Sequence, residues 1–256
     1  MKIGIIGTGA IGGTIAKKMA AAGHNVKVTN SGDADKLNAL AGELGVVAAT
    51  IEDVVKDVDV IILSVPTLAI PTLPNDLLAD VPENVIVVDT SNYYPFRDAD
   101  IEEIKKGKVE SVWVSEQLGR PVIKAFNNLL AETLANGGKE PGAEDRIAMA
   151  VAGDDTEAKT TITGLINDAG FDAVDSGNLS ESWRHQPGTP AYCTELTGEE
   201  LKQALSDAVK EEAPLLRDKA IADLSSLPSY PSHSYIIEYN RGLFQKNPKS
   251  VKKNRL

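Results

Sequence analysis

Three glycines near the start of the chain have the spacing of a phosphate cradle. They lie in Gly7-Thr8-Gly9-Ala10-Ile11-Gly12, a G-x-G-x-x-G motif. Each has its own physical task. The chain must turn tightly at Gly7. Gly9 has no side chain, so a pyrophosphate can approach its backbone. Gly12 lets a helix pack closely on a strand. The apolar run before the motif, KIGII, reads as a buried strand. After it, AIGGTIAKKMAAAG reads as a helix, with Ile11, Ile15 and Met19 about one turn apart and Gly23 as its C-cap. A helix that begins at this turn offers unpaired N–H groups and a partial positive charge to an anion. The chemistry implied is dinucleotide binding.

The end of the second expected strand distinguishes the dinucleotides. A carboxylate there binds the ribose 2′-hydroxyl of NAD. This strand ends Val28-Thr29-Asn30-Ser31-Gly32, and the first acidic residue, Asp33, is already in the turn. Asn30 and Ser31 can donate to a 2′-phosphate, and Lys36 stands one turn further on to supply charge. NADP(H) is therefore the expected cofactor. A purely local role, in which Asn30 and Ser31 shape the turn and cap the next helix, is compatible with this reading.

These residues need a scaffold. Apolar stretches at 58–66, 84–92, 121–128 and 146–154 read as further strands, and 35–44, 100–106 and 156–169 as helices. The alternation predicts an α/β fold, a doubly wound parallel sheet of Rossmann type, over residues 1–177. Ligands in such sheets bind beyond the carboxyl ends of the strands. Those ends are Ser64-Val65-Pro66, Thr90-Ser91-Asn92 and Ala125-Phe126-Asn127-Asn128. Residues 178–256 form a small C-terminal extension, part helical and part irregular, with one helix expected from Glu199 to about Leu224. The last 29 residues are rich in Pro and Tyr and end in KNPKSVKKNRL. They read as an extended arm or a partly disordered tail, and a homodimer with an exchanged arm is expected.

Bulk properties exclude several classes. The formal net charge of −11 opposes nucleic-acid and anionic-membrane binding. No apolar run is long enough to span a membrane, and Lys17-Lys18 interrupts the N-terminal stretch, so no signal peptide is read. His24, His185 and His233 have no metal-ligand spacing, and no metal is expected. One cysteine, Cys193, fits a cytoplasmic protein.

The ordered set KIGIIGTGAIGGTIAKKMAAAGHNVKVTNS, VIILSVP, VIVVDTSN, VIKAFNN, AVAGDD and DSGNL resembles the coenzyme F420-dependent NADP oxidoreductases. That group also includes the cytosolic domains of the transmembrane STEAP metalloreductases. The resemblance runs from residue 2 to about residue 180. It implies a hydride passed between NADP(H) and a flavin- or deazaflavin-like acceptor. It also implies Ser followed by Arg on the 2′-phosphate: Ser31 matches, Gly32 stands in place of the Arg, and Lys36 matches a basic position of some members. The backbone at Ala125 and Phe126 would face the nicotinamide, with Asn127 beside the acceptor pocket. SESWRHQPGTPAYC, residues 180–193, would build that pocket, with Trp183, Arg184, His185, Pro187, Tyr192 and Cys193 as its chemically dense members.

Hydride transfer between planar rings needs proximity and orientation more than an acid or base. Asn127 and His185 are the candidates for proton handling or orientation. Cys193 reads as a small buried residue rather than a nucleophile. A β-hydroxyacid or imine reductase is the alternative enzyme, with Lys124 the lysine to watch, and a non-catalytic NADP(H) sensor is the alternative outside enzymology.

Overall fold

A computed structural model describes residues 1–245. Eight strands form one sheet: β1 (Lys2–Ile6), β2 (Asn25–Thr29), β3 (Val47–Ala48), β4 (Val60–Leu63), β5 (Ile86–Asp89), β6 (Ile123–Lys124), β7 (Ala148–Ala152) and β8 (Asp172–Gly177). Their order across the sheet is β3-β2-β1-β4-β5-β6-β7-β8. The helices are α1 (Ala10–Ala21), α2 (Ala34–Leu44), α3 (Ile51–Val54), α4 (Pro95–Asp98), α5 (Glu102–Lys105), α6 (Glu110–Leu118), α7 (Ala131–Asn136), α8 (Thr156–Asp168), α9 (Gly198–Asp207), α10 (Ala213–Ser225) and α11 (His233–Phe244). The order reverses between β1 and β4, which is where a doubly wound sheet opens its ligand crevice.

Alternation along each central strand supplies both faces of the core. Ile3, Ile5, Val60 and Ile62 point to the side covered by α1 and α8, where Ile15, Met19, Ile162 and Leu165 meet them. Ile6, Ile61 and Leu63 point to the other side, against Val54, Trp113 and Val114. Strands buried on both faces read as continuous apolar runs, which is why they were visible in the sequence. Among the described residues, no helix is long and apolar enough to cross a membrane.

Several expectations are corrected. The sheet is mostly rather than wholly parallel: β6 and β7 run antiparallel, joined by the Lys124–Ala152 pair. The single helix expected from Glu199 is two helices, α9 and α10. Ala208 is extended (ψ 135°) and Pro214 stands in the first turn of α10, where a missing N–H is tolerated. Gly23 is not the cap itself: Ala22 caps α1 and Gly23 follows it with φ +88°. The helix expected at 100–106 is the four-residue α5, while α6 and α7 were not foreseen. The described part of the C-terminal arm is helix α11. The Ser232 hydroxyl accepts the Tyr235 N–H at its start, and Arg241 donates to the carbonyls of Thr194 and Glu195. The basic run at 246–256 lies outside the described residues.

Candidate active site

The cradle is shaped by backbone contacts. Gly7 has φ +102°, and a Cβ there would lie 2.1 Å from the Ser64 carbonyl oxygen. A Cβ on Gly12 would lie 2.0 Å from the Gly7 carbonyl oxygen and 2.9 Å from the Ser64 Cβ. Both positions therefore exclude side chains because the turn, α1 and β4 touch there. Gly9 differs: a Cβ would meet nothing within 4 Å. Gly9 is also the N-cap of α1 and makes no side-chain cap, so the space over it faces the N–H groups of Ala10, Ile11 and Gly12. Two hydroxyls at the neighbouring strand ends, Ser91 Oγ and Thr67 Oγ1, are buried without a partner among the described residues. An open cradle beside orphaned donors fits a dinucleotide.

The turn after β2 divides its roles differently from expectation. Asn30 donates to Thr8 Oγ1 at 2.6 Å and accepts the Gly32 N–H at 2.8 Å, locking the two loops together. The helix cap falls to Asp33, whose carboxylate accepts the N–H groups of Asp35 and Lys36. Ser31 and Lys36 are exposed beside this turn. Ser31 and Lys36 are thus the pair available to a 2′-phosphate, while Asn30 holds the loop.

Beneath the strand ends lies a charge pair sealed from water. Lys124 and Asp89 are both fully buried, with Nζ 3.0 Å from Oδ2. Lys124 also donates to the Ser91 carbonyl, Ser111 donates to Asp89 at 2.7 Å, and the Ser91 N–H donates to the other Asp89 oxygen at 2.8 Å. These bonds fix the Thr90-Ser91-Asn92 strand end from below. Nearby, the buried Glu110 accepts the Tyr93 N–H at 3.0 Å; burial pushes its carboxyl up to about 7, against the opposing pull of Lys124. Asp89, Ser111 and Glu110 were missed from the sequence. A carboxylate and a lysine inside apolar strands were nevertheless a signal, because such charges require partners.

Asn92, Asn127 and His185 come together from three separate segments. Asn127 donates to Asn92 Oδ1 at 3.0 Å and to the His185 carbonyl at 2.8 Å. Its own Oδ1 therefore accepts from His185 Nδ1, 2.8 Å away. His185 is fully buried; burial first, and then the Lys124 charge, lowers its pKa to about 3. The imidazole is neutral near pH 7, which narrows the candidate role of His185 from proton handling to orientation of Asn127. Ala125 and Phe126 are buried, with Phe126 at φ +59°, so their backbone rather than their side chains meets the crevice.

The segment expected to form the acceptor pocket is split by the fold. Trp183 packs with Val109 and Ala208, and the Arg184 guanidinium covers its ring at 4.5 Å while pairing with Glu181 at 2.7 Å. Neither residue lines the cavity bounded by Tyr94, Tyr192, α10 and α11, so their expected place in the acceptor pocket is corrected: Trp183 is a packing anchor and Arg184 covers it. Pro187, Tyr192 and Cys193 do line the cavity, with Tyr94 at the start of α4, Phe96 within α4, and residues of α10 and α11. The cavity measures about 450 Å³. Burial pushes the Cys193 thiol up to about 12, so it is an inert wall residue, as expected. Tyr192 joins cavity to crevice: its hydroxyl is 2.6 Å from that of Tyr94 and accepts from Asn92 at 3.4 Å.

The chain is similar to known proteins over this same architecture. Residues 2–93 match the family described as NADP oxidoreductase, coenzyme F420-dependent. The Escherichia coli (strain K12) protein YjhV is 39% identical over 124 residues, covering 48% of this chain and 83% of YjhV. The solved structure of a hypothetical protein, SMa0349, from Sinorhizobium meliloti is 31% identical, with a TM-score of 0.64, over 77% of this chain and 95% of that one. A candidate F420-dependent NADP-reductase of Arthrobacter sp. FB24 shares the fold at 22% identity and TM-score 0.58, over 71% of this chain and 87% of its own. With the glycine cradle, the switch point and these relatives in agreement, the chain belongs to the coenzyme F420-dependent NADP oxidoreductase family, a family of NAD(P)-dependent oxidoreductases.

Proposed function

We propose that this protein binds NADPH in the crevice over Gly9 and exchanges a hydride with a flavin- or deazaflavin-like acceptor. The observation that carries the reading is a shared wall. Asn92 closes the crevice at the end of β5 and is hydrogen-bonded to Tyr192, which lines the 450 Å³ cavity beyond it. The cofactor crevice and a second ligand site thus adjoin across the Asn92–Tyr192 bond, and direct transfer asks the two rings to come within about 3.5 Å of each other at that border.

When bound, NADPH supplies the hydride. The chain's own residues do the rest. Gly7, Thr8, Gly9, Ala10, Ile11 and Gly12 would hold the pyrophosphate, and Ser31 and Lys36 the 2′-phosphate. Ser64, Val65, Pro66, Thr90, Ser91, Asn92, Ala125 and Phe126 would line the path to the nicotinamide. The C-terminal segment from residue 178 contributes the acceptor side. Asn127, held by His185, orients Asn92.

The hydroxyacid or imine reductase alternative loses its lysine here: Lys124 is fully buried and bound to Asp89. The test is a spectrophotometric screen of NADPH and NADH oxidation with deazaflavin, flavin, quinone and ferric acceptors. Turnover with NADPH and a flavin-type ring, at least ten-fold above NADH, is the expected result. Robust turnover of hydroxyacids instead overturns the proposal.

A further inference from the structure

We propose that the cavity roofed by α10 and α11 is a binding site for an apolar monocarboxylate, and that the Arg217 guanidinium receives its carboxylate. Such a ligand is defined by its charge and needs no part in hydride exchange, so this site stands or falls apart from the function proposed above.

Arg217 is a buried cation with most of its donors unused. Only 9% of the residue is exposed. Its Nε donates to Asp218 Oδ1 at 2.8 Å, and its guanidinium lies over the Tyr93 ring, 5.4 Å from the centroid. Asp218 itself is turned towards solvent, with 57% of its side chain exposed. The N–H groups on Nη1 and Nη2 have no acceptor among the described residues. Neither nitrogen is sealed inside protein, and Arg217 lines the cavity, so these donors border that space. A guanidinium is costly to bury unless its donors find acceptors. Two parallel N–H···O bonds to a carboxylate would supply them.

The walls decide the rest of the ligand's chemistry. No Asp, Glu, Lys or His stands among the described residues that line the cavity, so Arg217 is its one fixed charge. Burial keeps the lining Tyr94 and Tyr192 hydroxyls and the Cys193 thiol protonated, so none of them adds a negative charge. A cation whose carboxylate partner lies outside the cavity, within a chain of formal net charge −11, marks the space for an anion. One guanidinium balances a monoanion, whereas a phosphate dianion would keep an uncompensated charge. Phe96, Ile221, Leu224, Leu243 and Phe244 supply apolar walls, and a volume of about 450 Å³ accommodates a bicyclic body.

Naphthoate and naphthamide share size and shape and differ in charge, so together they isolate the carboxylate. Binding to the full chain is measured by calorimetry near neutral pH, without NADPH. Naphthoate should bind about ten-fold more tightly than naphthamide, as charge-assisted hydrogen bonds to a buried cation provide. Arg217→Met should remove that difference and leave naphthamide affinity unchanged. Arg217→Lys, which keeps the charge and loses the planar fork, should retain only part of it. Leu243→Trp, which fills the cavity from α11 and leaves Arg217 in place, should abolish binding of both probes. Melting temperature and NADPH affinity should hold in each variant. Naphthamide binding as tightly as naphthoate, or naphthoate affinity unchanged in Arg217→Met, overturns the inference. Should Arg217→Met fail to fold, Arg217→Lys decides: unchanged naphthoate affinity there overturns it equally. Naphthoate binding through Arg217 without NADPH oxidation by any ring acceptor leaves this site standing and removes the hydride exchange alone. NADPH oxidation by a ring acceptor without naphthoate binding does the reverse.

Discussion

The crevice and the cavity lie side by side but are built from different materials. The crevice is made of backbone: a glycine turn, the first N–H groups of α1 and the carboxyl ends of neighbouring strands. The cavity is made of side chains from segments far apart in sequence: Tyr94, Tyr192, Ile221 and Phe244. A backbone site tolerates change on its surface but not at its contacts. A side-chain site can be remodelled one residue at a time. Phosphates are shared by all dinucleotides and suit the first kind, whereas an acceptor that varies among relatives suits the second.

The buried charge pair beneath the β5 strand end offers the sharpest way to break the comparison. Lys124→Met leaves Asp89 buried without its cation and should destabilise the fold by about 3–5 kcal/mol in urea unfolding. Replacing both partners by apolar residues should recover most of that loss. A cost under about 1 kcal/mol for Lys124→Met alone would show that water reaches the pair.

The pH dependence comes next. The unfolded chain protonates His185 near its ordinary value of 6.5, while the folded protein resists until about 3. The stabilisation is complete above 6.5 and is lost as pH falls towards 3, by up to about 1.4 kcal/mol per pH unit. Because Glu110 opposes it between pH 4.5 and 6.5, the His185 slope should appear on denaturation of Glu110→Gln across pH 4–8 and become shallower in Glu110→Gln/His185→Gln. Glu110 has the opposite sign: its raised value near 7 makes stability fall as pH rises from 4.5 to 7, and Glu110→Gln should remove that fall.

The glycines test the backbone side directly. Gly12→Ala places a Cβ against the Gly7 carbonyl and should cost about 1–3 kcal/mol of stability. Gly9→Ala meets nothing in the fold, so its melting should change little, whereas NADPH affinity should drop about ten-fold or more through lost phosphate approach. If Gly9→Ala melts early and binds NADPH normally, the cradle is structural only. The smallest effect is at the exposed rim. Lys36→Ala should weaken NADPH about two- to five-fold and leave NADH unchanged, with the difference shrinking at high salt.

Much of the crevice was legible because its determinants are local. G-x-G-x-x-G between an apolar strand and an amphipathic helix states its own geometry, and strands buried on both faces announce themselves as Val/Ile runs. β8, Asp172–Gly177, was harder to read: it is polar and half exposed. The β6–β7 reversal was also hidden, since periodicity carries no direction. Trp183 and Arg184 were grouped with the acceptor pocket by residue type, while their partners, Ala208 and Glu181, hold them away from the cavity that Tyr192 lines. Asn30 locks its loop to Thr8, 22 residues earlier, and the helix cap expected of Asn30 and Ser31 falls to Asp33.

What the sequence determined by itself is the dinucleotide cradle and the sheet that carries it, because turn chemistry and strand burial act over a few residues. What only the tertiary structure decided is the second site. The neutrality of His185, the sealed Lys124–Asp89 pair and the Tyr94–Tyr192 hydroxyl pair at the cavity wall depend on burial and on contacts between distant segments, and neither is written in residue type or spacing.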